Sequence, residues 1–254
     1  NCLAKANPST LIITYEGYAW ERILINTSKE FNPKIKIIGY QHPLVSKKNH
    51  AMLRNIKGNY NPDILWAPGN RSYSTLIKSK KIKNIKIIKS GYLKKIQNYK
   101  KNTKIKSNCL VVPGATYSEI IKLFDFSIKC ALQDKNLKLT FRLHPMVRID
   151  KILKIMNLKI KLLPRNIKIS TKSLPEDIKN NSFVLYTDSA AVIEATRGGN
   201  IPIYLNLNNK INNDPIYDYP ESKFYVNTLS DFRKILSNLK SIKLRKIKMN
   251  AETK

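Results

Sequence analysis

Short β-branched runs alternate with amphipathic helical patterns along this chain of 254 residues, and this alternation restricts its fold more than any other feature. In the first part of the chain, the predicted strands are 11–14, 34–39, 63–66 and 85–89, and the predicted helices are 19–29 and 70–80. A strand–helix–strand rhythm is typical of a parallel sheet with helices on both faces. The sequence therefore predicts an α/β fold.

A Lys- and Asn-rich stretch at 94–107 interrupts the rhythm and predicts a solvated linker. After it, the predicted strands are 109–112, 137–143, 167–169, 182–186 and 201–205, and the predicted helices are 117–133, 146–156, one starting near 173, 190–197 and 231–239. We predict two Rossmann-like domains, at 1–93 and 108–240, followed by a basic tail at 241–254. The chain opens at Asn1 and soon enters a strand-like run, so we expect a truncated N-terminal domain.

The formal net charge of +30 invites a nucleic-acid interpretation, because clustered basic residues release counterions from phosphates. The lysines are, however, spread along the whole chain beside abundant Ile and Asn, which favours the compositional drift of an AT-rich genome. A basic enzyme is still attracted to phosphorylated substrates and to anionic membrane surfaces. We expect no specific nucleic-acid partner, and peripheral contact with an anionic membrane stays open.

The cysteines, Cys2, Cys109 and Cys130, have no metal-ligand spacing and fit a reducing compartment. No stretch approaches the roughly 20 apolar residues of a membrane span, and no signal peptide is recognisable. We expect a cytoplasmic location, at most peripheral on the inner face of the cytoplasmic membrane. No metal site and no cofactor are expected.

The run Arg142-Leu143-His144-Pro145 follows a predicted strand, where ligands of open parallel sheets bind. Pro145 favours an extended residue before it, which would carry His144 past the sheet edge. A histidine there can donate to a phosphate oxygen or act as an acid or base. We take Arg142, His144 and Pro145 as candidate nucleotide-binding residues and His144 also as catalytic. The alternative is a histidine that caps a loop.

A second candidate is the run from Thr187 to Ala195, in which Asp188 or Ser189 is the predicted N-cap of a helix that follows a strand. Backbone N–H groups at such a helix start, together with the helix dipole, bind anions such as phosphate. Glu194 lies in the helix and could accept hydrogen bonds from a ribose. The alternative is that Asp188 or Ser189 only caps the helix and that Glu194 is solvated.

Three further candidates also follow predicted strands. Gly114 would let backbone approach a ligand closely, although an ordinary βα turn explains it as well. Glu16 is our candidate for the general base that activates an acceptor hydroxyl, and the alternative is a charge that satisfies a helix dipole. His42 precedes a proline, as His144 does, and is predicted to contact the acceptor or the donor. We take it as a further catalytic candidate.

The order of these motifs resembles GT-B glycosyltransferases of bacterial surface-polysaccharide synthesis. The run Tyr15-Glu16-Gly17, with Gly39-Tyr40-Gln41-His42 after it, resembles a surface carbohydrate biosynthesis family. The His144-Pro145 pair, the Leu174–Ile178 run and the Ser189 helix are similar to polysialyltransferases, capsule Kdo transferases and CDP-glycerol glycerophosphotransferases. In those relatives the corresponding histidine and serine contact a cytidine-linked donor, which implies this role for His144 and Ser189. Glu176, inside the Leu174–Ile178 run, is a further candidate for the nucleotide site.

The resemblance implies a metal-independent glycosyltransferase, and the absence of an Asp-x-Asp motif agrees with it. Such an enzyme would move a sugar from a nucleotide-activated donor to a growing surface polysaccharide or a lipid-linked glycan. The donors of those relatives are cytidine-linked, so a CMP-linked sugar is one candidate donor. The nucleotide sugar would be a co-substrate. Two alternatives remain: a nucleic-acid-binding protein that uses its basic surface, and a non-catalytic sugar-nucleotide binder.

Overall fold

The computed structural model describes residues 2–42, 51–54, 56–79, 82, 84–91, 105–206 and 214–238. The chain divides into two compact units, with the boundary between residues 96 and 97. Of the predicted linker at 94–107, residues 94–104 lie outside the described residues, and so does the whole predicted tail at 241–254.

The first unit is built on a four-stranded parallel sheet in the order β1-β2-β3-β4. Its elements are α1 (Cys2–Ala6), β1 (Thr10–Thr14), α2 (Ala19–Phe31), β2 (Lys36–Tyr40), β3 (Ile64–Ala67), α3 (Asn70–Lys78) and β4 (Lys86–Lys89). Ile25 of α2 and Leu76 of α3 share one buried cluster with Ile37 and Leu65 of the strands. Helices α2 and α3 therefore pack against the same face of this sheet.

The turn between β1 and α2 is closed by the buried carboxylate of Glu21. This carboxylate accepts hydrogen bonds from the backbone N–H groups of Glu16 at 3.0 Å, Gly17 at 2.7 Å and Tyr18 at 2.8 Å. Gly17 has a φ of +84°, and a Cβ atom there would overlap the backbone of Ala51. The amides before α2 are thus occupied by the chain's own carboxylate.

The second unit is built on a six-stranded parallel sheet in the order β10-β9-β8-β5-β6-β7. Its strands are β5 (Asn108–Val112), β6 (Lys138–Phe141), β7 (Ile167–Ile169), β8 (Phe183–Tyr186), β9 (Ile201–Leu205) and β10 (Phe224–Val226). Its helices are α4 (Tyr117–Gln133), α5 (Ile149–Ile155), α6 (Leu174–Asn180), α7 (Ala191–Arg197) and α8 (Leu229–Ser237), with single 3-10 turns at 160–162 and 220–222.

Both faces of the second sheet are covered, as expected for parallel strands. On one face, Val111 and Phe141 pack with Phe124 of α4 and Phe232 of α8. On the other face, Leu110 and Val184 pack with Ile178 of α6 and Val192 of α7. The predicted α/β class with parallel sheets is confirmed.

A buried polar network lies beside β8 and β10. The ammonium group of Lys223 pairs with Oδ2 of Asp214 at 2.6 Å, and both side chains are almost fully buried. Oδ1 of Asp214 accepts hydrogen bonds from the Tyr186 hydroxyl and from the backbone N–H of Ile216, each at 3.0 Å. The network therefore ties the 214–222 segment to the sheet.

Removing Asp214 should destabilise the protein strongly, because Lys223 would keep a buried charge without its partner. We expect Asp214→Ala to lower the free energy of unfolding by about 3–5 kcal/mol, measured by urea denaturation. As a control, Asp125→Ala removes one partner of the exposed Asp125–Lys129 pair at 2.7 Å, where the expected loss is within about 0.5 kcal/mol. Equal effects of the two variants would contradict the stabilising role of the network.

Candidate functional site

The strand order of the second sheet reverses between β5 and β8. From β5 the chain adds β6 and β7 on one side, and it then adds β8, β9 and β10 on the other side. In open parallel sheets, ligands bind in the crevice outside the carboxyl ends of the strands at such a reversal. Residues 113–116 follow β5, and residues 187–190 follow β8. These two loops therefore form our candidate site, which we call the switch-point crevice.

The two loops of the crevice touch at Gly114 and Asp188. A Cβ atom on Gly114 would overlap the carboxylate of Asp188, so no side chain fits at Gly114 in this arrangement. Oδ1 of Asp188 also accepts a hydrogen bond from the Thr187 hydroxyl at 3.1 Å. The Asp188 carboxylate thus lies against Gly114 of the loop after β5, and a side chain at position 114 would require this carboxylate to move.

Glu119, in the first turn of α4, adds a second carboxyl group to the crevice. A hydrogen bond to Asp188, partial burial and the charge of Asp188 together raise the pKa of Glu119 to about 8, and Lys122 opposes this shift. This shift favours a state in which Glu119 keeps its proton and shares it with Asp188 through a hydrogen bond. Glu119 is not among the candidates taken from the sequence, because its partner Asp188 is distant along the chain and no local pattern links the two residues.

The predicted helix cap at Asp188 or Ser189 was wrong, because Ala190 occupies the position before α7. The backbone N–H of Val192 donates to the Ser189 carbonyl at 3.2 Å, so the helix starts with a tighter turn. Ser189 is 9 % exposed, and its hydroxyl makes no hydrogen bond to the residues described. The first turn of a helix leaves backbone N–H groups unpaired, so hydrogen-bond donors of the 189–191 segment border the crevice.

A row of tyrosines, Tyr186, Tyr204 and Tyr225, crosses β8, β9 and β10 in register. The ring centroids of Tyr186 and Tyr204 are 5.5 Å apart, and those of Tyr204 and Tyr225 are 5.9 Å apart. Burial raises the pKa of Tyr204 to about 12, with further contributions from the acidic groups Asp214, Glu119 and Asp188. Tyr204 is therefore neutral and links the buried network electrostatically to the crevice.

His144 lies beyond the carboxyl end of β6, the neighbour of β5. Its Nδ1 accepts a hydrogen bond from the backbone N–H of Met146 at 3.3 Å. In the neutral imidazole this leaves the proton on Nε2, which is free to donate. His144 and Pro145 are both exposed. Strand β6 ends at Phe141 rather than at the predicted Leu143, so His144 lies in the loop rather than next to the strand end.

The remaining candidates of the second unit have local contacts. The Arg142 guanidinium donates to the Lys172 carbonyl at 2.6 Å and pairs with the buried Asp177 carboxylate at 2.9 Å. The exposed Glu176 carboxylate accepts from the backbone N–H of Ser173 at 3.1 Å and thereby completes the capping box of α6. Glu194 is exposed on α7. The structure thus ties Arg142 and Glu176 to the fold, and nucleotide contacts for these residues stay predictions.

The candidates of the first unit follow β1 and β2. Glu16 accepts a hydrogen bond from the exposed Tyr18, and its negative charge is the first cause that raises the pKa of that tyrosine. His42 is exposed, and it follows Gln41, whose side-chain amide donates to the buried Ser72 hydroxyl at 3.1 Å. The catalytic roles of Glu16 and His42 stay predictions.

Comparison with known proteins adds the fold relationship. No protein-family model and no curated protein sequence matches the chain. Among solved structures, a UDP-GlcNAc 2-epimerase from Methanocaldococcus jannaschii, in complex with UDP-GlcNAc and UDP, has a TM-score of 0.63 at 18 % identity, covering 100 % of this chain and 74 % of its own. TarM has a TM-score of 0.58 at 15 % identity, covering 96 % of this chain, which spans about half of TarM (51 %).

The glycotransferase of kitacinnamycin has a TM-score of 0.58 at 10 % identity, over 94 % of this chain and 69 % of its own. These neighbours are GT-B glycosyltransferases and UDP-GlcNAc 2-epimerases. At identities this low, the likeness shows the fold alone. It confirms the predicted GT-B-like, Rossmann-like architecture.

Within the described residues, His, Cys, Asp and Glu side chains form no group of three that could hold a metal ion. The same part of the chain has no helix that is long and apolar enough to cross a membrane.

The Glu119–Asp188 pair should make stability depend on pH. Because folding raises the pKa of Glu119 from 4.5 to about 8, its contribution is complete below the lower value and is lost as the pH rises through the upper one. Glu119→Gln keeps a donor for Asp188 and does not titrate. We therefore compare the free energies of unfolding of the variant and the unmodified protein. The difference between them, variant minus unmodified, should increase by about 1–2 kcal/mol from pH 4.5 to 8, allowing for solvent screening.

Urea denaturation across this pH range measures the effect. Glu30→Gln, which removes an exposed carboxyl group of α2, is the matched control and should give a flat difference. A flat difference for Glu119→Gln as well would contradict the shared proton.

Proposed function

We propose that the switch-point crevice binds a nucleotide-activated sugar and that the protein transfers this sugar to an acceptor hydroxyl without a metal ion. The observation that carries the proposal is the close contact between Gly114 and Asp188, at the strand-order reversal, beside a serine hydroxyl that has no partner among the described residues. The β5 and β8 loops are thereby held together where open α/β sheets bind nucleotides.

The donors around the crevice suit a diphosphate. The Ser189 hydroxyl and the amides before α7 can donate to phosphate oxygens, and Nε2 of His144 is a third donor at the same edge of the sheet. The shared proton of Glu119 and Asp188 supports this assignment, because it leaves one negative charge instead of two beside the ligand. Repulsion between the pair and a bound phosphate is thereby reduced.

In the proposed transfer, the bond between the anomeric carbon and the phosphate oxygen breaks, the acceptor oxygen bonds to that carbon, and the acceptor hydroxyl loses its proton to a general base, for which Glu16 is the candidate, and finally to solvent. Negative charge develops on the leaving phosphate. Preorganised hydrogen-bond donors stabilise such charge strongly in a site that excludes water. Ser189 and His144 would provide this stabilisation, so no metal ion is needed in this scheme.

The nucleotide and the acceptor are finer parts of the proposal. The resemblance of the His144-Pro145 and Ser189 motifs favours a cytidine-linked donor. The structural neighbour from M. jannaschii binds UDP-GlcNAc and UDP, which favours a uridine diphosphate sugar. A surface polysaccharide or a lipid-linked glycan at the inner face of the cytoplasmic membrane is the proposed acceptor.

A second candidate function is epimerisation of a nucleotide sugar. The epimerase from M. jannaschii has a higher TM-score (0.63) than TarM (0.58), and this chain covers more of it. The two functions differ in their product, because a transferase releases the nucleotide and an epimerase keeps it attached. Phosphorus NMR of the protein with a nucleotide sugar and a candidate acceptor glycan therefore separates them.

The proposal predicts that nucleotide sugars stabilise the protein through Ser189. In a thermal-shift panel of CMP, CDP, UDP, GDP and their sugars, we expect at least one ligand to raise the melting temperature. Ser189→Ala should weaken the binding of that ligand by about 10- to 100-fold, because a hydrogen bond to a charged group is lost. Isothermal titration calorimetry measures this change.

Ser237→Ala, in α8, is the matched control and should leave the affinity unchanged. If no nucleotide shifts the melting temperature, sugar-nucleotide binding is contradicted. Binding of duplex DNA under the same conditions would then favour the nucleic-acid alternative.

A further inference from the structure

The surface around the end of α5 combines exposed aliphatic side chains with positive charge. Ile155, Ile160 and Leu162 are 57 %, 55 % and 69 % exposed, and the lysines beside them are exposed as well. We call these exposed residues of the 154–162 segment (Lys154, Ile155, Lys159, Ile160, Lys161 and Leu162) the α5 docking surface. All of the chain from 105 to 206 is described, so these exposures refer to a continuous stretch.

The charge of this region is strongly one-sided. Between residues 146 and 169 the sequence has seven Lys and Arg residues and one acidic residue, Asp150. Asp150 is already paired with Arg148 at 3.0 Å. The lysines of the α5 docking surface therefore have no acidic neighbour within the segment.

The backbone holds the aliphatic side chains outward in a fixed turn. Helix α5 ends at Ile155. Asn157, two residues further on, has a φ of +52°, and the N–H of Leu158 donates to the Leu153 carbonyl at 2.8 Å. Further on, the side-chain amide of Asn166 donates to the carbonyls of Ala131 at 3.0 Å and Leu137 at 2.8 Å. The segment is thus attached to the end of α4 and the start of β6.

We propose that the α5 docking surface binds the surface of an anionic lipid bilayer. Residues 159–162 read Lys-Ile-Lys-Leu, so ammonium groups and aliphatic side chains alternate. Exposed aliphatic groups gain free energy by entering the boundary between headgroups and acyl chains, and lysines beside them contact anionic headgroups. The apolar side chains thus match the acyl-chain boundary of a bilayer, and the lysines match its anionic headgroups.

Two other partners fit this surface less well. Nucleic-acid surfaces interleave basic residues with aromatic ones for base stacking, and residues 146–169 contain no aromatic residue. A second copy of this chain would place the same excess of lysines on both sides of a two-fold contact, where like charges repel.

The α5 docking surface lies toward the amino ends of the strands, and the switch-point crevice lies at their carboxyl ends. Residues 159–162 precede β7, which begins at Ile167, whereas the crevice lies beyond the carboxyl ends of β5 and β8. Changes at this surface should therefore leave nucleotide binding intact. The bilayer proposal can thus be tested independently of the proposed function.

Vesicle co-sedimentation tests the proposal with the full chain. We expect binding to vesicles of equal parts phosphatidylglycerol and phosphatidylcholine, weak binding to pure phosphatidylcholine, and loss of binding at high salt. The double variant Ile160→Ser/Lys161→Gln should reduce partitioning into the anionic vesicles by at least about fivefold, because the loss of one lysine near the membrane alone has about this effect. The matched control Ile77→Ser/Lys78→Gln removes an exposed aliphatic and basic pair from α3. It should change partitioning by less than about twofold, because a charge far from the bilayer is largely screened by salt.

Several results would overturn the proposal. One is that the unmodified protein does not bind anionic vesicles. Another is that both double variants lose binding equally, which would show an effect of net charge alone. A loss of duplex DNA binding with vesicle binding unchanged would assign the surface to nucleic acid. Conversion of a dimer to a monomer by the α5 variant, seen by light scattering, would assign it to self-association.

Discussion

The contact between Gly114 and Asp188 is the constraint on which the candidate site depends. It joins the loops after β5 and β8, the two strands between which the order of the second sheet reverses. The Asp188 carboxylate occupies the space beside Gly114, so the two loops are in contact just before α7. Ser189 then borders the crevice, and Glu119 completes the contact by sharing a proton with Asp188.

A second polar system, the buried network of Asp214, Lys223 and Tyr186, lies beside β8 and β10. The ion pair of Asp214 and Lys223, with the Tyr186 hydroxyl, fixes the segment before β10 against β8. Burial raises the pKa of Tyr204, and acidic groups of both systems, Asp214 on the one hand and Glu119 and Asp188 on the other, add to this shift. Buried ion pairs contribute little net stability compared with apolar packing, but losing one partner costs much. The network therefore favours one arrangement of β8, β9 and β10.

The sequence predicts the parallel α/β fold well, because β-branched runs and helical stripes are local patterns. The bounds of α4, β7 and β9 agree with the predicted ones. Strand β10 was missed although β7 is equally short, because the sequence between β9 and β10 has no helical pattern and β10 therefore falls outside the strand–helix rhythm. Glu119 and the Asp214–Lys223 pair were missed for another reason: their partners are brought together by the fold, and no local pattern encodes such contacts. Asp188 and Ser189 were found because they follow a strand, although their capping role was wrong.

Hydrogen–deuterium exchange with and without a saturating nucleotide sugar tests the central claim most directly. Binding in the switch-point crevice should slow exchange of backbone amides in 113–119 and 187–193, while amides of 159–163, at the opposite edge of the sheet, exchange as before. Protection confined to other segments, or no protection by any nucleotide sugar, would contradict the assignment of this crevice as the sugar-nucleotide site.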